Sequence, residues 1–170
     1  MDGMVHVYTG NGKGKTTSAI GLAVRAVGAG LNVYIGQFAK GMKYSELNSL
    51  SNIDNIKVEQ FGQNYFIKGS PTEKDIDSAK NGFNKIKEIL KSGEYEVVIL
   101  DEANIATYYD LFTVQELIDV IEERAENVEV IITGRMADNK LIDYADLVTE
   151  MKEIKHYYNQ GVIARTGIEK

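Results

Sequence analysis

No cysteine occurs in this 170-residue chain, which removes disulfides, thiolate metal sites and cysteine nucleophiles at once. That pattern suits a reducing compartment, so a cytoplasmic protein is the expectation. Positive charge is also short: 19 Lys and Arg stand against 25 Asp and Glu, a net charge of −6. Binding a nucleic acid through its phosphates needs clustered Lys and Arg, so nucleic acid is not the expected partner. Apolar runs are brief, none approaching the roughly 20 residues that span a bilayer. The first strand pattern starts within four residues of Met1 and leaves no room for a signal peptide, so no membrane association is expected. The one proline, Pro71, marks the turn before a long helical pattern. With 44% hydrophobic residues the chain can bury one good core. It is too short for two domains of ordinary size, and a single domain over residues 1–170 is expected.

The patterns that are present alternate between strand and helix. Strand-like runs lie at 4–8, 32–38, 56–61 (weakly), 97–100, 128–133 and 147–151. Between them, Ile20, Leu22, Ala23, Val24 and Val27 place a helix over 17–28, with Gly28 and Gly30 to end it. Ile76, Ala79, Phe83, Ile86, Ile89 and Leu90 place another over 72–90, begun by Thr72 and the acidic capping partner Asp75. Further helices are expected over 111–125 and 138–144. Val97 to Leu100, continuously apolar and closed by charge, reads as a central parallel strand. Alternation of this kind predicts a mainly parallel sheet with helices on both faces, three layers α/β/α, and ligands at the carboxyl ends of the strands.

The segment Thr9-Gly10-Asn11-Gly12-Lys13-Gly14-Lys15-Thr16-Thr17 occupies the first such end. Its glycines let backbone N–H groups turn toward an anion, the following helix aims its dipole at the same point, and Lys15 adds a full charge. Thr16 stands where a hydroxyl reaches a metal ion on the same phosphates. The common pattern G-x-x-x-x-G-K-[ST] would put glycine where Thr9 stands, so this is a variant loop that holds a polyphosphate in its own way. Later strand ends add Lys40-Gly41, Asp101-Glu102 and Gly134-Arg135. Asp101-Glu102 is the acidic partner such a loop needs for a divalent ion, although the same dipeptide also suits a helix N-cap. Arg25, Lys40 and Arg135 are equally readable as surface charge. His6, inside the first strand, reads as a packed or edge residue, and His156, near the rim, either as a hydrogen-bonded loop residue or as a contact to corrinoid or nucleotide.

Taken with Gln37-Phe38, Thr133-Gly134-Arg135, Ala145 to Lys152 and Gly167-Ile168-Glu169, the loop resembles the ATP:corrinoid adenosyltransferases, in order and from about Val5 to Glu169. The resemblance implies a phosphate-loop NTPase-like, RecA-like fold. It implies transfer of the 5′-deoxyadenosyl group of ATP to a cobalt(I) corrinoid, cob(I)alamin or an a,c-diamide precursor, with release of inorganic triphosphate.

By the same resemblance Gly10, Asn11, Gly12, Lys13, Gly14, Lys15, Thr16 and Thr17 bind triphosphate. Thr16 and Glu102 hold Mg²⁺ or Mn²⁺ with Asp101 behind them, and Arg25, Lys40 and Arg135 reach the nucleotide. In the family the nucleotide lies reversed in the loop, with the α-phosphate where a γ-phosphate usually sits. A Gly-Phe-Thr-Trp segment there covers the lower corrin face; here Gly62 to Ile67 aligns with it, Tyr65 standing for the phenylalanine and Ile67 for the tryptophan. The longer N-terminal cover of several members has no counterpart before the first strand, so closure is expected from another loop, from a partner subunit, or not fully. A homodimer and a separate reductase that supplies Co(I) are also implied. An ATPase or small kinase, or a non-catalytic carrier of nucleotide or corrinoid, remains as the alternative reading.

Overall fold

The computed structural model describes residues 2–42, 44–63, 67 and 69–170. Strand β1 (Val5–Thr9) leads through the glycine-rich loop into α1 (Lys15–Gly28). β2 (Val33–Phe38), α2 (Ser45–Leu50) and β3 (Ile56–Phe61) follow. The chain continues through α3 (Glu73–Ser92), β4 (Val97–Asp101), α4 (Ala103–Tyr108) and α5 (Val114–Glu122). It then forms β5 (Glu129–Thr133), α6 (Asn139–Tyr144), β6 (Leu147–Glu150) and a short 3₁₀ turn, Tyr157–Gln160.

The six strands form one sheet in the order β3-β2-β4-β5-β1-β6, every neighbouring pair parallel. Parallel strands need crossovers, and the crossovers lay helices on both faces. On one face Ala19, Ala23 and Ala26 of α1 and Leu50 of α2 pack on Val33, Ile35, Ile99 and Ile131. On the other, Ala79, Ile86 and Leu90 of α3 join Leu117 and Ile121 of α5 over Val98, Leu100, Val130 and Ile132. Strands β2 and β4 are buried at every position, which is why each opens on a continuous apolar run rather than an alternating one before a polar residue at or near its end, Gln37 in β2 and Asp101 in β4.

The expected strands are all present within a residue or two. The capping box at α3 is formed: Thr72 Oγ1 accepts from the Asp75 amide, and Asp75 accepts from the Thr72 amide at 2.8 Å. Two helix boundaries and two further helices correct the sequence reading. α1 starts at Lys15, not Thr17, so the loop lysine and threonine already belong to its first turn. The helix expected from Leu111 starts at Val114, because Thr113 and Glu116 form a second capping box there; Leu111 and Phe112 precede it as buried turn residues. Helices α2 and α4, six residues each, have no counterpart in the sequence reading. β3, the weak strand, pairs along its whole length with β2 at the sheet edge. β6 is the last strand and forms the opposite edge beside β1.

Candidate active site

The carboxyl ends of β1, β2, β4 and β5 deliver their connections to one rim, above a cavity of about 1040 Å³. The glycine-rich loop forms one wall. Gly14 takes φ 121°, a conformation open mainly to glycine, and from there the chain enters α1. Gly12 lies so close to the chain after β6 that an added Cβ would come within 2.7 Å of the Met151 carbonyl oxygen, which accepts the Gly12 amide at 2.6 Å. Thr9, in place of the usual glycine, is buried at the end of β1, and its hydroxyl accepts the Ala137 amide at 3.4 Å. It thereby ties the loop to the turn that carries Arg135.

Lys15 is buried in the first turn of α1 and donates to the Gly12 carbonyl at 2.7 Å. Burial pushes its ammonium below the usual lysine range, the Arg135 guanidinium pushes the same way, and the nearby Glu102 and Asp101 carboxylates offset only part of this. Lys13, the other loop lysine, points outward to the chain's last residues. Its ammonium donates to Glu169 at 2.8 Å, to the Ile168 carbonyl at 2.8 Å and to the Tyr157 hydroxyl at 3.2 Å. Arg165 grips the same Glu169 and lies over the Tyr157 ring, 4.9 Å from its centre. The clasp so formed holds the segment 157–170 against the loop.

Asp101 closes β4 and is 1% exposed. Thr16 and Thr133 donate their hydroxyls to its Oδ1 at 2.8 and 2.6 Å; Gln37 and Lys40 donate to Oδ2 at 3.1 and 2.7 Å. Burial alone would push this carboxyl up, but the Lys40 ammonium and the threonine hydroxyls hold it below the usual aspartate range. Glu102 differs. It takes a left-handed φ of 58° at the N-cap position of α4, yet its side chain makes no cap bond. Its carboxylate has no hydrogen-bond donor among the described residues. Burial, then the neighbouring Asp101, push it above the usual glutamate range against the pull of Lys40, Lys15 and Arg135. The helix-cap alternative for Asp101-Glu102 is therefore not what the Glu102 side chain does. A carboxylate that lines the cavity without a donor among the described residues, with Thr16 lining the same cavity, is a donor set that fits a divalent cation with oxygen ligands.

Of the residues expected at the site, Asn11 to Thr17, Lys40, Ile67, Glu102 and Arg135 line the cavity, as does His156. Gly10 stands behind the loop with φ 95°. Arg25 is not brought together with them: it is exposed in the last turn of α1, roughly 15 Å along the helix from Lys15. Tyr65 lies outside the described residues. His6 pairs with Glu129 at 2.7 Å on β1, an internal strand, and His156, while lining the cavity, accepts the Tyr158 amide at Nδ1 at 3.0 Å. Sequence reasoning missed Asn104, fully buried, whose side-chain amide donates to the Gly134 carbonyl at 3.0 Å and holds the turn before Arg135. It also missed Gln37 as a donor to Asp101. The signal was there in Gln37 and Asn104 themselves, polar residues at positions where the pattern demands burial.

The model of the family described as ATP:corrinoid adenosyltransferase BtuR/CobO/CobP matches residues 1–169. The chain belongs to this family. The corrinoid adenosyltransferase of Escherichia coli K12 is 33% identical over 98% of this chain and 85% of its own length. The corrinoid adenosyltransferase CobA of Salmonella typhimurium is 34% identical with the same coverage. A corrinoid adenosyltransferase of a Sinorhizobium species is 35% identical over 98% of this chain and 80% of its length. The chain is thus an ATP:corrinoid adenosyltransferase family enzyme on an α/β sheet, with ATP and a corrinoid as substrates and cobalamin biosynthesis or salvage as its setting. Among the described residues no helix is long and apolar enough to cross a membrane.

Proposed function

We propose that the glycine-rich loop of this adenosyltransferase holds the triphosphate of ATP while its 5′ carbon is presented to the cobalt(I) of the corrinoid. The observation that carries this reading is the cavity itself. At about 1040 Å³ it stands at the upper end of ordinary ligand sites, and its lining joins a cationic, phosphate-binding wall to an apolar one. One wall supplies Lys15, Lys40, Arg135 and the loop amides; Met42, Ile67, Ile105 and Tyr109 supply apolar surface.

The chemistry suits those residues. Cobalt(I) donates an electron pair to C5′, the bond from C5′ to the α-phosphate oxygen breaks, and that oxygen leaves with its pair on triphosphate. Cobalt ends as an alkyl-cobalt(III). No proton moves, so no general base is required. The protein's task is to hold the reactants in line and to neutralise the charge that grows on the leaving group. Lys15 and the loop amides do this from one side, and Lys40 and Arg135 from neighbouring strand ends. Thr16 and Glu102 would hold Mg²⁺ or Mn²⁺, with Asp101 fixing the Thr16 hydroxyl from behind; such an ion adds further neutralisation of the triphosphate. Ile67 belongs to the corrinoid side, where apolar contact favours the cofactor's face over water, and Tyr65 is assigned beside it by family resemblance alone. Arg25 lies outside the cavity and is not part of the proposed nucleotide contact.

Cobalt(I) must be generated by an electron donor, which we assign to a separate reductase on the family resemblance. A homodimer in the cytoplasm completes the reading, supported by the family resemblance and by the cysteine-free, acidic composition. The deciding experiment is an anaerobic assay with ATP, Mg²⁺ and chemically reduced cob(I)alamin, following both products. Adenosylcobalamin with stoichiometric triphosphate is expected. ADP and orthophosphate without adenosylated corrinoid would return the chain to the ATPase alternative.

A further inference from the structure

An ionised carboxylate offers about four lone-pair directions, and in Asp101 all are taken: Thr16 and Thr133 on one oxygen, Gln37 and Lys40 on the other. A cation can reach Asp101 directly only by expelling one of these donors. Thr16 is fixed in the first turn of α1, Gln37 within β2 and Thr133 at the end of β5. Gln37 is further held by Gln60, which donates to its side-chain oxygen at 3.0 Å and so leaves its amide facing Asp101. Lys40 alone stands on a connection, at the end of a flexible four-carbon stem.

The placement of Lys40 is nonetheless deliberate. Ala39 before it takes φ 51°, unfavourable for a residue with a Cβ, and this turns the chain back over the sheet end. The Lys40 side chain is only 12% exposed and lies 5.3 Å from the centre of the Tyr44 ring. Its ammonium is 2.7 Å from Asp101 and 3.5 Å from the Thr16 hydroxyl, so it stands between the two groups that would otherwise serve a metal. Burial works against both charges, but each holds the other ionised: Lys40 ends above the usual lysine range and Asp101 below the aspartate range. Glu102, next in sequence, has no ion-pair partner among the described residues.

We propose that Lys40 is a built-in counter-ion that denies Asp101 to divalent metal in the nucleotide-free protein, so that Thr16 and Glu102 accept the metal only as its complex with a triphosphate. This rests on the reading above that Thr16 and Glu102 receive a divalent ion. Free Mg²⁺ or a tighter-binding transition metal then finds no complete site, and the protein commits its metal position to nucleotide.

Equilibrium dialysis of the full chain against Mn²⁺ alone tests this. The wild type is expected to retain Mn²⁺ weakly. Lys40→Met and Lys40→Gln are each expected to tighten it about tenfold or more, since a unit charge next to the site is removed. Adding Asp101→Asn to either should abolish the gain. Lys40→Gln, neutral and shorter than lysine, keeps the test valid if the methionine variant does not fold; circular dichroism checks both. Unchanged Mn²⁺ retention in a folded Lys40 variant, or a gain that survives Asp101→Asn, overturns the proposal. Dialysis against Mn²⁺ with ATP separates the two readings. Failure of the wild type to retain Mn²⁺ even with ATP counts against the metal role of Thr16 and Glu102. Retention of the ATP complex by the wild type, with no gain in the Lys40 variants without ATP, overturns the role of Lys40 alone.

Discussion

Asp101 and Glu102 are adjacent carboxylates in opposite environments. Asp101 ends a buried strand among four donors, and Glu102, turned through a left-handed residue, faces the cavity with none among the described residues. The dipeptide was legible as an acidic strand end, but which carboxylate is saturated and which is free depends on Gln37, Lys40 and Thr133, all distant in sequence. Lys15 was legible from its motif alone, because the spacing to Gly14 and Thr16 is local. Replacing it by alanine removes the one buried ammonium of the loop. The expected result is a fall in kcat of roughly a hundredfold or more, about 3 kcal/mol of lost transition-state stabilisation, measured with saturating ATP. An unchanged kcat would take Lys15 out of the phosphate role.

At the scale of elements, the glycine-rich loop is held from two sides. Its inner side runs into α1, whose dipole points at the site; its outer side is braced by Met151 and by the clasp of Lys13 with Glu169, Tyr157 and Arg165. Lys13 is 41% exposed and Glu169 16%, so the pair adds little to global stability and its expected effect is on loop position. Lys13→Glu and Glu169→Lys should each raise KM for ATP, and the double exchange should recover most of the loss. A double exchange as impaired as the sum of the singles would show that Lys13 acts on phosphate and not through the clasp. None of this was readable along the chain, since the partners are more than 140 residues apart. Helices α2 and α4 were also unreadable: a six-residue helix makes under two turns, too few for a period of 3.6 to register. By contrast α3, with twenty residues, a clear apolar stripe and a capping box, announced itself.

For the molecule as a whole, stability rests on the central strands, buried on both faces. Leu100, fully buried in β4 on the α3 and α5 side, has no solvent-facing alternative. Leu100→Ala should lower the unfolding free energy by about 2–5 kcal/mol in urea denaturation, with a matching fall in midpoint and little change in slope. A loss below about 1 kcal/mol would mean that the layer over β4 collapses freely into the space. Local patterns settled the class of fold, the place of the glycine-rich loop and its lysine, the strand ends that carry charge, and the long helices, because those signals lie within a few residues of one another. The strand order β3-β2-β4-β5-β1-β6, the saturation of Asp101 by Lys40, the outward commitment of Lys13 and the exile of Arg25 from the cavity came from the packed fold. Each is a matter of which surfaces meet when parallel crossovers bury two faces of one sheet, and no run of neighbouring residues carries that information.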